Sequence, residues 1–173
     1  IFEIVPVVIE LIIVGSVLWV TFGFIYSFIT IMTVITYIFF TIKVTEWRIA
    51  IRKKMNVADE NASTKAVDSL LNYETVKYFN AEKIEVERYN MAMKSYEDSA
   101  VKARASLSIV NIGQGAIIAL GLFLVMGLAG EDIAKGKMSV GDFVVVNTFL
   151  LQLYLPLNFL GFVYREIRQS LLD

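Results

Sequence analysis

The 173 residues are 57% hydrophobic and 13% aromatic, with 16 basic and 17 acidic side chains and a formal net charge of -1. The apolar share exceeds the roughly 45–50% of an average soluble domain and lies in long charge-free blocks, which points to lipid; the balanced charge gives no electrostatic footprint for nucleic acid. Cys and His are both absent, which removes disulfides, thiolate chemistry, imidazole bases and the usual zinc and iron ligand sets.

The opening residues, IFEIVPVVIE, carry no initiator Met, no basic n-region and no small-residue cleavage site. They do not read as a signal peptide, and the chain is expected to be a piece of a longer protein. From Leu11 to Ile42 no residue is charged. At about 1.5 Å per residue, one helix over that run would far exceed the roughly 30 Å hydrocarbon core, so it must fold back. Thr21-Phe22-Gly23 is the natural turn, which predicts one span over about 1–21 and a second over about 24–43.

The next stretch, residues 44–104, is dense in charge, lacks Pro and Gly, and keeps Val76, Phe79, Ile84 and Val86 at helical spacing. It predicts a helical hairpin that continues the flanking spans beyond the membrane. Its break is expected within Asn56 to Thr64, where capping residues cluster. That would leave a short tip helix of Ser63, Thr64, Lys65, Ala66, Val67, Asp68, Ser69, Leu70 and Leu71. The blocks 105–130 and 143–164 are each long enough for one span, separated by the polar loop EDIAKGKMSVGD. Lys43, Arg48, Arg52, Lys53, Lys54, Lys102, Arg104, Arg165 and Arg168 flank one side of the membrane, and Lys135 and Lys137 the other. By the positive-inside rule the hairpin and the C-terminus are cytoplasmic or matrix-side.

Three predicted helices each present a polar stripe. Tyr37, Arg48 and Arg52 fall within roughly a 60° arc. Asn111 and Gln114, extended by Ser108, form a second stripe, and Asn158, Gly161, Arg165 and Gln169 step by 3, 4 and 4 residues to form a third. Polar groups at membrane depth must pair or face water. Two readings stay open from the residues alone: a solvent-filled chamber whose guanidiniums fork carboxylates or phosphates, or interhelical hydrogen bonds with arginines snorkelling to headgroups. Glu46 and Glu166 could also neutralise the neighbouring arginines internally. Glu3 and Glu10 share one face of the first span, and Pro156 allows a kink in the last. Gly113, Gly115, Gly121 and Gly127 suit close helix contact. Asn61-Ala62-Ser63 matches a glycosylation acceptor on the wrong side of the membrane. No GxxxxGK[ST] motif occurs, so no catalytic site is expected in this chain.

The stretches TEWRIAIRKKMN, DSLLNYETVKYFNAE, NIGQ and LYLPLNFLGFVYREIRQSLLD resemble the ABC exporter half-transporters of the mitochondrial and alphaproteobacterial heavy-metal-tolerance type, linked to glutathione and iron-sulfur metabolism. The motifs are most specific from Thr45 to Asp173. The resemblance implies an all-α membrane fold, a type I exporter transmembrane domain contributing helices three to six. It also implies a homodimer in the bacterial inner membrane or the mitochondrial inner membrane, with Mg-ATP handled by a nucleotide-binding domain elsewhere. The family's glutathione contacts fall on Arg48, Arg52, Asn111, Gln114, Gly161 and Arg165, with Tyr37 a less specific match. Residues 63–71 would correspond to the helix that couples to the partner's ATPase domain. The rival reading from another class is a channel or membrane scaffold, working without ATP, whose hairpin binds a partner protein.

Overall fold

The computed structural model describes the backbone of residues 4–170 and the side chains of residues 6–154 together with Leu157. Five helices follow in order: α1 (Ile4–Phe22), α2 (Phe24–Leu71), α3 (Tyr73–Tyr78), α4 (Glu82–Ala134) and α5 (Val140–Ser170). No strand occurs among the described residues. α2 and α4, at 48 and 53 residues, are long and apolar enough to cross a membrane. The apolar stretches Pro6–Phe22 and Val140–Tyr154 are shorter.

The turns follow from local chemistry. Gly23 separates α1 from α2 at φ 104°, a backbone region open to glycine and costly for a side chain. Its N–H bonds back to the Leu18 and Trp19 carbonyls. The fold-back thus falls within the predicted Thr21-Phe22-Gly23. α4 ends with Gly136 at φ 71°, and Gly136 and Lys137 donate to the Ile133 and Asp132 carbonyls, a Schellman closure. α5 then opens on a capping box. The Asp142 N–H donates to Ser139 Oγ at 3.1 Å and the Ser139 N–H to Asp142 Oδ2 at 2.9 Å, so both orphan donors of that turn are satisfied. Asn80, at φ 49°, closes α3 with the same Schellman geometry, Ala81 N–H to the Val76 carbonyl and Asn80 N–H to that of Lys77; asparagine tolerates this region better than other side chains.

The predicted break at Asn56 to Thr64 is absent. α2 runs unbroken to Leu71, so Ser63 to Leu71 are its last turns, and the separate short helix is α3. The reason lies in which way the cluster faces. Ala58 and Ala62 are buried, while Asp59, Asn61, Ser63 and Thr64 point to solvent, where they do not compete for the backbone. The interruption comes at Asn72, whose N–H and side-chain amide both take the Asp68 carbonyl.

The chain forms two compact units, residues Ile1–Lys43 with Asn111–Asp173, and Val44–Val110. In the first, Val14 and Leu18 of α1, Tyr26, Val34 and Tyr37 of α2, Val125 and Ala129 of α4, and Val146, Leu150, Leu153, Tyr154 and Leu157 of α5 make one buried cluster. The outward face is as apolar as this core: Ile12, Ile13, Trp19, Phe24, Phe28, Phe39, Leu120 and Phe123 are all exposed. A contiguous surface of that kind is stable against acyl chains and not against water. Polar groups go inside instead. Gly121 lets α4 approach Thr33 of α2 so closely that an added Cβ would stand 2.5 Å from the threonine side chain. The second unit is a helical hairpin, tied near its tip by Ser69 Oγ donating to Glu85 Oε2 at 2.7 Å.

Candidate functional site

In the first unit, the α2 face that turns inward is hydroxyl-rich. Tyr26, Thr30, Thr33, Tyr37 and Thr41 recur every three or four residues and are all buried. Thr30 and Thr33 donate to the Tyr26 and Ile29 carbonyls, which satisfies them within the helix. Tyr37 reaches further, its hydroxyl donating to the Leu157 carbonyl of α5 at 3.1 Å. Gln114 of α4 is buried and its amide donates to Thr41 Oγ1 of α2 at 2.8 Å. Tyr37 and Gln114 therefore sit at contacts that link α2 to α5 and to α4. Asn111 is exposed. α5 continues helically through Pro156 and past Gly161; the side chains of Asn158, Arg165 and Gln169, like the whole of Glu3, lie outside the described residues.

At the end of this unit that carries the α1–α2 turn and the α4–α5 loop, Tyr26 donates to Asp132 Oδ2 at 2.7 Å. These two residues, with Lys137, Met138 and Asp142, line a pocket of about 400 Å³.

In the second unit, Arg48 and Arg52 line one open cleft of about 890 Å³. α2 contributes Arg48, Arg52 and Met55, and α4 contributes a continuous face that includes Asn90, Lys94, Glu97, Arg104 and Leu107. Steps of three and four residues place each set on one side of its helix. The charged lining is four cations, Arg48, Arg52, Lys94 and Arg104, against the single carboxylate of Glu97. Both arginines are half-buried, and Nε of Arg52 is shielded from solvent with no hydrogen-bond partner among the described residues. A buried donor of this kind is costly until an acceptor arrives. Within this unit the structure brings Arg48 and Arg52 together, as their four-residue spacing predicts, and it adds Lys94, one charge among many in the hairpin, and Arg104, a cation flanking the membrane. The signal for them was present as the periodic face of α4, but only an opposing helix shows that this face looks onto arginines.

The model of the ABC transporter transmembrane region matches residues 2–157. The chain belongs to that family. As an ABC transmembrane region it is part of a multi-pass membrane protein, in keeping with the two long apolar helices and the lipid-like exterior of the first unit. It is 49% identical over its whole length to the mitochondrial iron-sulfur clusters transporter ABCB7 of Rattus norvegicus, covering 23% of that protein. It is 48% identical, again over its whole length, to the mitochondrial iron-sulfur clusters transporter atm1 of Aspergillus fumigatus, covering 24% of it. A solved structure of a bacterial Atm1-family ABC exporter with ATP bound matches with a TM-score of 0.89 at 49% identity, over 99% of this chain and 30% of that one. The chain therefore spans about a quarter of the length of the curated relatives it matches. The likeness reaches the first helix as well as the motif-rich part from Thr45 onward, and the ABC exporter fold expected from those motifs is the fold found.

Proposed function

We propose that this chain belongs to an ATP-driven exporter, built as a dimer of half-transporters, that moves glutathione-based substrates such as glutathione disulfide or its metal or sulfur conjugates out of a bacterial cytosol or a mitochondrial matrix. In this reading the chain supplies four of six membrane crossings per subunit, over about 1–21, 24–43, 105–130 and 143–164. Hydrolysis of Mg-ATP takes place in a nucleotide-binding domain outside it. The relatives named as iron-sulfur clusters transporters support the transport class. The observation that carries the substrate class is the cleft on which Arg48 and Arg52 converge with an excess of positive charge. Glutathione offers two carboxylates and a peptide backbone, and guanidinium forks with amides are the complementary set. Asn111, Gln114, Asn158, Gly161, Arg165 and Tyr37 are the remaining proposed contacts.

The hairpin tip is the proposed contact with the nucleotide-binding domain. Ser63 to Leu71 lead into it, and Leu70, Leu71, Tyr73, Tyr78 and Phe79 stand exposed around α3, more apolar surface than a solvated turn needs. The test is uptake of oxidised glutathione into inverted vesicles carrying the full-length protein. Combining Arg48→Ala with Arg52→Ala is expected to lower uptake at least tenfold, since removing hydrogen bonds to charged groups costs about 1.5–3 kcal/mol each. Undiminished uptake would defeat the substrate assignment.

A further inference from the structure

We infer that the α4 wall of the cleft in the second unit, Arg104 with Lys94 and Asn90, is a second half of the anion-binding site, so that a polycarboxylate is held between two helices of one subunit. This inference rests on the export of an anionic glutathione-type substrate proposed above and adds the residues that complete its binding surface. Three observations carry it. First, the residues line the same open volume as Arg48 and Arg52, about 890 Å³, which is ample for a small peptide. Second, the level is right. Ser69 meets Glu85 near the hairpin tip; counting back equally along both antiparallel helices at about 1.5 Å per residue brings Arg104 to within about 3 Å of the axial level of Arg52 and sets Lys94 and Asn90 about 12 and about 18 Å toward the tip along the same cleft. Third, the charge of the α4 wall is not tied down: among the described residues no ion pair holds Arg104 or Lys94, and Glu97 is the one carboxylate in the cleft lining.

Arg48, Arg52 and Arg104, gathered near one level of the cleft, repel one another, and a bound polyanion relieves that repulsion while accepting their hydrogen bonds. Asn90 adds an amide that can serve a peptide backbone. A lipid phosphate presents similar chemistry, so the experiment separates the two sources.

The full-length protein is reconstituted in nanodiscs of phosphatidylcholine alone, and binding of oxidised glutathione is measured by calorimetry for wild type, Arg104→Gln, Arg104→Lys and Lys94→Gln. Lys102→Gln serves as control, since Lys102 is exposed on α4 and is not among the cleft residues. Arg104→Gln is expected to weaken binding about tenfold and Lys94→Gln by a smaller factor, with Arg104→Lys between wild type and Arg104→Gln, and Lys102→Gln like wild type. Arg104→Lys keeps the charge and so reads out recognition even where Arg104→Gln folds poorly. Unchanged binding in Arg104→Gln and Lys94→Gln, alongside loss in the Arg48→Gln plus Arg52→Gln variant, overturns this inference and leaves the substrate reading intact. Unchanged binding in the arginine pair as well overturns both. If the Arg104→Gln effect arises only when anionic phosphatidylglycerol is added to the discs, the wall is a headgroup site, and the inference is again overturned.

Discussion

Glu85 shows how a single side chain can hold the end of a long hairpin. Its carboxylate accepts from Ser69 Oγ across the hairpin at 2.7 Å and pairs with Arg88 on its own helix at 2.8 Å. The Ser69 hydroxyl, and after it the Arg88 guanidinium, hold the carboxyl below the usual glutamate range. A lowered native pKa means that the tie contributes fully above the unfolded value, about 4.3, and is lost as pH falls through the lower native value. The absence of cysteine makes the chain itself suited to single-site labelling. A nitroxide at Leu71→Cys is expected to gain mobility as acid takes the solution below the ordinary glutamate range. With Glu85→Ala the label should be mobile already at neutral pH and insensitive to acid. A label whose motion tracks pH equally in both backgrounds would show that some other group governs the tip.

At the scale of the elements, the contact between α2 and α4 in the first unit depends on where α4 has no side chain. A Cβ at Gly121 meets Thr33 at 2.5 Å, and Thr33 has little room to yield. It is β-branched, and its Oγ1 is committed to the Ile29 carbonyl at 2.8 Å. A Cβ at Gly113 comes still closer to a neighbour, 2.1 Å from the Phe40 ring, but it meets the far end of a side chain that can turn aside. Gly127 faces open space. Gly121→Ala is therefore expected to destabilise the full-length protein by about 1–3 kcal/mol, Gly113→Ala by less, and Gly127→Ala to stabilise it by up to about 1 kcal/mol through helix propensity. Thermal unfolding in detergent ranks the three; the reverse order for Gly121 and Gly127 would mean that the helices do not meet at Thr33. The hydroxyls beside this contact show why a polar stripe in a membrane helix has two meanings. Thr30 and Thr33 bond back to their own helix, whereas Tyr37 and Gln114 bond across to α5 and α2.

For the whole molecule, the distribution of basic residues predicts sidedness, since Lys135 and Lys137 stand alone against the cations around the hairpin. Single cysteines at Ser63→Cys and Lys137→Cys, both at exposed positions, are expected to react with a membrane-impermeant maleimide from opposite faces of sealed vesicles. Labelling of both from one face would remove the four-crossing arrangement.

What the amino-acid sequence determined by itself was the class of molecule and its punctuation. Charge-free runs too long for one crossing demanded a fold-back, and Gly23 marked it because a left-handed backbone there favours a residue without Cβ. The stretch around Arg48 and Arg52 resembles that of ABC exporter half-transporters, and, independently of that resemblance, four-residue spacing puts both guanidiniums on one helix face whatever packs against it. The tertiary structure decided the matters that depend on a partner helix. Capping residues at Asn56 to Thr64 signal a break only where the backbone needs their side chains, and burial of Ala58 and Ala62 turned that cluster toward solvent, moving the interruption to Asn72. Thr41 gained significance from the Gln114 amide lying opposite it. Arg104 and Lys94 joined the arginines of α2 because the hairpin brings chain positions some fifty residues apart to face one cleft. Periodicity along one helix fixes which side chains share a face, and only the docking of a second helix fixes what that face meets.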